Sequence, residues 1–192
     1  MHTLARILGA TAVTAAAVAL TACSSSSSPS SSPASSTTAA ASTAAQAQSA
    51  APASHGRECT ADDVKTTGGF GQAPTITIPD DCDPPTHLVT KDLITGTGPA
   101  AKSGDQVSMN YTLVTWSDKK KLDSSFDRHE PFPLQLGAGQ VIPGWDQGLV
   151  GIRQGGRRLL IIPPNLGYGE GGNGIKPNET LVFVTDAVKV GS

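Results

Sequence analysis

Residues 24–54 read SSSSSPSSSPASSTTAAASTAAQAQSAAPAS, with no charged side chain and no large apolar one. Such a run cannot bury enough surface to offset the entropy of ordering it, so it reads as a tether. The foldable part of the 192-residue chain lies C-terminal to this run, and its length fits one domain. There the apolar residues recur mostly with period two between turn signals. TITIP at 75–79 is a short strand cut off by the following Asp-Asp and Asp-Pro-Pro. In QVSMNYTLVTW, Val107, Met109, Tyr111 and Leu113 share one face and Ser108, Asn110 and Thr112 the other, the pattern of a strand with one wet face. GRRLLIIPP at 156–164 is denser and is expected to lie centrally. TLVFVTDAVKV puts Leu181, Phe183, Thr185 and Ala187 on one side.

VIPGWDQGLVG at 141–151 breaks the alternation. Pro143 suits a first helical turn, and Trp145, Leu149 and Ile152 then share a face. Glycine costs about 1 kcal/mol in a helix interior and proline about 3. Helix propensity therefore does not explain why one of only two tryptophans sits among these neighbours. An antiparallel sheet crossed by one short helix is an α+β domain with a concave face plugged at the helix end.

The first residues, MHTLARILGATAVTAAAVALTAC, have a weakly basic start, an apolar run from about Ile7 to Leu20 and small residues before a cysteine. They read as a secretory signal, too short to span a bilayer comfortably. Leu20-Thr21-Ala22-Cys23 resembles the bacterial lipobox, which implies cleavage before Cys23, lipidation of that thiol and anchoring to the cell membrane on its outer side. Two or more acyl chains are what stable anchoring requires. Expected boundaries are 1–22 for the signal, 23–56 for the lipidated tether, 57–86 for an extension and 87–192 for the folded domain. The tether spans on the order of 30 Å.

Cys59 and Cys82 fit a disulfide on the oxidising side of a membrane. Metal ligation lacks a second Cys or His pair at ligand spacing, and His55, His87 and His129 are scattered. The extension is expected to pack as an extra strand, TITI, pinned by that bridge. A formal charge of -2 gives no basic field for nucleic acid or anionic lipid. GYGEGGNG at 167–174 lacks the GK[ST] ending of a phosphate loop and reads as a mobile surface loop. Lys119-Lys120-Lys121 reads as a solvated turn between strands.

LDSSFDRHEPFPLQLGAGQVIPGWDQGL, then IIPPNLGYGEGG, then KPNETLVFVTDAV resemble the core of the FKBP-type peptidyl-prolyl cis-trans isomerases, macrolide-binding immunophilins. The resemblance runs from about residue 87 to 190. It implies a strongly curved antiparallel sheet wrapped around one short helix, and no metal or cofactor. It also implies a prolyl pocket with Trp145 as floor and Tyr111, Phe132, Val141, Ile142 and Phe183 as walls. Tyr168 matches a tyrosine whose hydroxyl donates to a substrate carbonyl, and the Ile142 N–H matches a second donor. Asp123 and Arg128 match a charged pair beside the pocket, near the Tyr111 hydroxyl. Leu122, Gln140 and Ile175 match further pocket positions.

The chain departs from the family pattern where Leu122 and Leu134 replace phenylalanines, Leu113 a glycine and Gln140 an acidic residue. Isomerase activity is expected, with altered substrate preference and weaker affinity for macrolides of the FK506 and rapamycin type. The partners implied are proline-containing polypeptides and, through the lipid, a membrane, with the chain acting as a monomer. The competing reading is a non-catalytic holdase or envelope adaptor. Capture of a small solute fits worse, because one such domain offers a shallow groove and not an enclosed cleft.

Overall fold

A computed structural model describes residues 54–191; the signal-like segment, Cys23 and nearly all of the tether lie outside the described residues. The extension comes first. Its strands β1 (Lys65–Thr66) and β2 (Ile76–Thr77) pair with each other in a small antiparallel sheet. TITI thus supplies the expected strand, but to a separate two-stranded sheet and not to the main one. Cys59 and Cys82 are joined, their Cα atoms 5.1 Å apart.

The main sheet contains β3 (Val89–Ile94), β4 (Gln106–Thr115), β5 (Lys121–Ser124), β6 (Phe132–Gln135), β7 (Arg157–Ile162) and β8 (Leu181–Val190). All pairings are antiparallel, in the order β3-β7-β8-β4-β5, with β6 also on β4. The two long strands β4 and β8 pair from Val107↔Val190 to Thr115↔Leu181 and form the spine. The other edge of β4 is shared: β6 takes Gln106 to Met109 and β5 takes Thr112 to Val114. Register shifts at Ser108/Met109, Leu113/Val114 and Asp92/Ile94 bend the strands, as bulges do.

Between β5 and β6 lies a single helical turn, α1 (Ser125–Arg128), that the alternation pattern did not announce. Its start is fixed by Ser124, whose side chain accepts the Phe126 N–H, and its end by His129 in the left-handed region at φ 55°. The expected helix is α2 (Pro143–Gly148). It stops sooner than the spacing suggests, yet Trp145, Leu149 and Ile152 are all buried in the core. Gly144 and Gly148 explain its closeness to the sheet. A Cβ on Gly144 would lie 2.4 Å from Ile162 Cγ2, and one on Gly148 2.4 Å from Leu160 Cδ2. Only side-chain-free positions let the helix rest on β7 and carry the indole into the concave face.

The sheet buries both faces, contrary to the expectation of a wet one. Leu160, Ile162, Leu181 and Phe183 face α2, while Leu159, Ile161, Val182 and Val184 alternate to the other side and meet Cys59, Val64, Ile78 and Cys82 of the extension. Every residue of β7 is therefore buried. Ser108 and Asn110 on β4 are half-buried, but Thr112 is fully covered. Lys119 and Lys120 lie exposed between β4 and β5, as expected of a solvated turn, and Lys119 ion-pairs with Asp80 of the extension.

A buried ion pair fastens the extension. Arg157 donates to Asp186 at 2.5 and 2.8 Å and to the carbonyls of Gly68 and Gln72 at 2.8 and 2.6 Å, while the Gly71 N–H donates to Asp186 at 2.7 Å. The guanidinium and the carboxylate are thus both paired and further hydrogen-bonded, which is what makes burial of their charges tolerable.

Candidate functional site

The concave face opens at the N-terminal end of α2 as a hollow of about 190 Å³. Trp145, 4% exposed, forms its floor. Tyr111 and Phe183 stand edge-on to the indole with ring centroids 5.3 Å away, and Phe132 does so at 6.2 Å. Each ring comes from a different element: Tyr111 from β4, Phe132 from β6, Trp145 from α2 and Phe183 from β8. T-shaped stacking fixes the rings relative to one another, so the hollow is preformed. The Trp145 Nε1 is buried with no hydrogen-bond partner among the described residues.

Val141, Ile142, Gln140 and Tyr168 complete the rim. Ile142 precedes α2 in an extended conformation, φ -59° and ψ 146°, and its carbonyl accepts the Trp145 N–H at 2.9 Å, while its own N–H has no partner among the described residues. The Tyr168 hydroxyl is likewise without a partner among them. Two unpaired donors therefore border an aromatic hollow. Tyr168 is carried there by a 3-10 turn at Pro164–Leu166 and a bond from the Gly169 N–H to the Pro164 carbonyl, 2.9 Å.

Tyr111, Asp123 and Arg128 form a polar triad on the other side. The Tyr111 hydroxyl donates to Asp123, Arg128 donates to the same carboxylate and, at 2.8 Å, to the Tyr111 oxygen. The guanidinium carbon also lies 5.6 Å from the Tyr111 ring centroid. Burial first, then the bond to Asp123, pushes the Tyr111 hydroxyl up. Partial burial works against ionisation of Asp123, but the bonds from Tyr111 and Arg128 and the charge of Arg128 outweigh it and hold the carboxyl below its usual range. The bonds to Asp123 and Tyr111 push Arg128 up. The triad fixes the Tyr111 ring and keeps charge at the edge of an otherwise apolar hollow.

The lining thus unites Trp145, Tyr111, Asp123, Phe132, Gln140, Val141, Ile142, Tyr168 and Phe183, as the resemblance implies. Three further residues do not line it. Leu122 is the extra residue of a bulge, since Asp123 pairs with Leu113 and Lys121 with Val114, and it turns out 40% exposed. Ile175 is 7% exposed within the core. Arg128 acts from behind Asp123 and Tyr111. Two contributors were not anticipated as site residues. Leu113 lines the hollow, and period-two alternation from Tyr111 is the signal that could have found it. Asp146 accepts the N–H groups of Gly137 and Gly139 at 2.8 and 3.0 Å and so holds the turn that leads into the rim. The Gln140 side-chain oxygen accepts the Gln135 N–H at 3.0 Å and fastens that turn to β6.

Residues 98–187 match the family model described as FKBP-type peptidyl-prolyl cis-trans isomerase. A protein of Streptomyces anulatus named FK506-binding protein is 50% identical over 111 residues, covering 56% of this chain and 90% of that one. A namesake in Neisseria meningitidis serogroup B is 43% identical over 106 residues, covering 54% of this chain and 95% of the relative. Among solved structures, AtFKBP13 is 34% identical with a TM-score of 0.51, covering 55% of this chain and 94% of that one. FkpA from Escherichia coli is 43% identical with a TM-score of 0.51, covering 55% and 49% respectively.

Proposed function

The chain belongs to the FKBP-type peptidyl-prolyl cis-trans isomerases, and from that premise we propose that it speeds the folding of exported polypeptides at the outer face of a bacterial cell membrane, tethered there as a monomer through lipid on Cys23. The Leu20-Thr21-Ala22-Cys23 motif and the uncharged tether support the location. The observation that carries the chemistry is the indole floor of Trp145 walled by Tyr111, Phe132 and Phe183 and bordered by two unpaired donors.

Rotation about an X-Pro bond sacrifices amide resonance, a barrier of roughly 18–20 kcal/mol. The planar amide is more polar than the twisted one, so a water-poor hollow disfavours the ground state relative to the transition state. The prolyl ring lies on Trp145. The Tyr168 hydroxyl and the Ile142 N–H hold flanking carbonyls in a turn-like geometry, which adds orientation. Removing about 6 kcal/mol in this way gives an acceleration on the order of 10⁴-fold. No nucleophile enters the scheme. Macrolides of the FK506 type compete for the same floor.

The test is proline-limited refolding of a reporter protein with the purified chain. The expected result is a faster slow phase that FK506 suppresses. An unchanged slow phase beside a cooperatively folded chain overturns the catalytic reading. It would leave the peptide-binding adaptor, which the exposure of Leu122 (40%) and Phe132 (38%) favours, and which predicts aggregation suppression that survives Tyr168→Phe.

A further inference from the structure

The matched family region begins at residue 98, yet the extension before it does more than cover the sheet. Next to the Tyr168 loop lies a groove of about 480 Å³ with Pro84, Pro85 and Thr86 of the extension on one side and Pro164, Asn165 and Glu170 on the other. Neither part makes it alone. Gly169 and Glu170 come directly after Tyr168, so the loop that carries the pocket's tyrosine is also the near wall of the groove. The groove continues into a second cavity of about 300 Å³, which shares Pro84, Asn178 and Thr180 with it and is lined by Trp116.

The walls suit one kind of occupant. Proline rings present apolar surface and no N–H that needs a partner, and the side-chain amides of Asn165 and Asn178 offer both donor and acceptor to a peptide backbone. The charge is one-sided. Asp80, Asp83, Glu170 and Glu179 line the two cavities against Lys119 and His55. Lys119 is engaged by Asp80, His55 by Asp83, and Glu170 has no hydrogen-bond or ion-pair partner among the described residues.

We propose that this groove is an extended subsite for the stretch of polypeptide flanking the target proline, selective for stretches bearing lysine or arginine. The proposal rests on the isomerase reading for the occupant of the prolyl pocket. Opposite charge favours such segments and disfavours acidic ones, and the Tyr168–Glu170 stretch, which faces the pocket with its first residue and the groove with its next two, sets the two contacts one loop apart for a single bound chain.

The two tryptophans report the two ends separately: Trp145 sits in the pocket, Trp116 in the far cavity. With the full chain, the probes are the tetrapeptide Ala-Leu-Pro-Phe and longer peptides that extend it on either side with lysine-bearing or glutamate-bearing alanine segments. A lysine-bearing extension on one side should tighten binding about tenfold over the tetrapeptide and shift Trp116 emission in a Trp145→Phe variant. Glu170→Lys should remove most of that gain while leaving tetrapeptide affinity unchanged, and Pro84→Ala should reduce it. Equal affinity for short and long peptides, an equal gain from glutamate-bearing extensions, or a gain that survives Glu170→Lys overturns the proposal. Turnover of the tetrapeptide with no gain from length sinks the groove alone. A length-dependent, Glu170-dependent gain without turnover sinks the isomerase reading and leaves the groove standing.

Discussion

Arg157 and Asp186 face each other across β7 and β8 with side chains 2% and 1% exposed, and the same two groups hold the backbone of residues 68–72. The pair therefore joins the sheet to the extension. Removing one partner leaves a buried charge without compensation, which costs about 3–5 kcal/mol. Arg157→Met is expected to lower the denaturation midpoint by a corresponding amount and to expose 68–72 to protease. Arg157→Met combined with Asp186→Leu is expected to recover part of the loss. A double variant no more stable than the worse single one would show that the backbone contacts, and not the charges, matter.

The Cys59–Cys82 bridge closes a loop with a sequence separation of 23. Loop-closure entropy assigns such a bridge roughly 3 kcal/mol. Cys59→Ser with Cys82→Ser should destabilise the chain by about that much and raise hydrogen exchange in 57–86 before it rises in β4 and β8. Equal exchange in both regions would mean that the extension and the sheet unfold as one unit whether or not the bridge is present.

Much of the site was legible because strand geometry is periodic. Val107, Met109, Tyr111 and Leu113 do share the concave face, and Pro143-Gly144-Trp145 does open a helix that lies on the sheet. The convex face was not legible. Its cover comes from Val64 and Ile78, far away in the chain, and no local spacing tells that Val182 and Val184 will be covered by them. The burial of Arg157 has no sequence signal, since burial of a charge depends on partners such as the Gly68 carbonyl that only folding supplies. Leu122 was placed in the pocket by resemblance and leaves it because of a bulge, a one-residue irregularity without a composition signal.

The triad sets the pH dependence. The folded-state carboxyl of Asp123 is held below its unfolded value, so the stability it adds is present above the usual carboxylate range, near pH 4, and is lost as pH falls through the lower folded value. Tyr111 is raised, so its contribution is present below the ordinary phenol value, near pH 10, and is lost as pH rises through the folded value. No histidine among the described residues lines the hollow. Isomerase rate should therefore be level from about pH 6 to 8, where a histidine would titrate. Asp123 and Arg128 are 41% and 48% exposed, so water screens their pairing; Asp123→Asn should slow the reaction by no more than about fivefold. A bell-shaped profile inside that window would place a titrating group in the chemistry and contradict a mechanism built on desolvation and orientation alone.

Gly144→Ala tests why the tryptophan has glycine beside it. In an open helix this change would stabilise by about 1 kcal/mol, because alanine is the better helix former. Here the new methyl would lie 2.4 Å from Ile162 Cγ2 and 2.8 Å from its Cδ1, and Ile162 is fully buried and has no room to retreat. Overpacking of this kind costs about 1–3 kcal/mol, so the net change should be destabilising. The helix should also lift from β7 and carry Trp145 away from Tyr111 and Phe183. The expected outcome is a lower unfolding temperature together with a red-shifted tryptophan emission and a weakened refolding assay. Increased stability with unchanged emission would mean that helix and sheet are not in contact through Gly144, and the account of how the indole is positioned would fail with it.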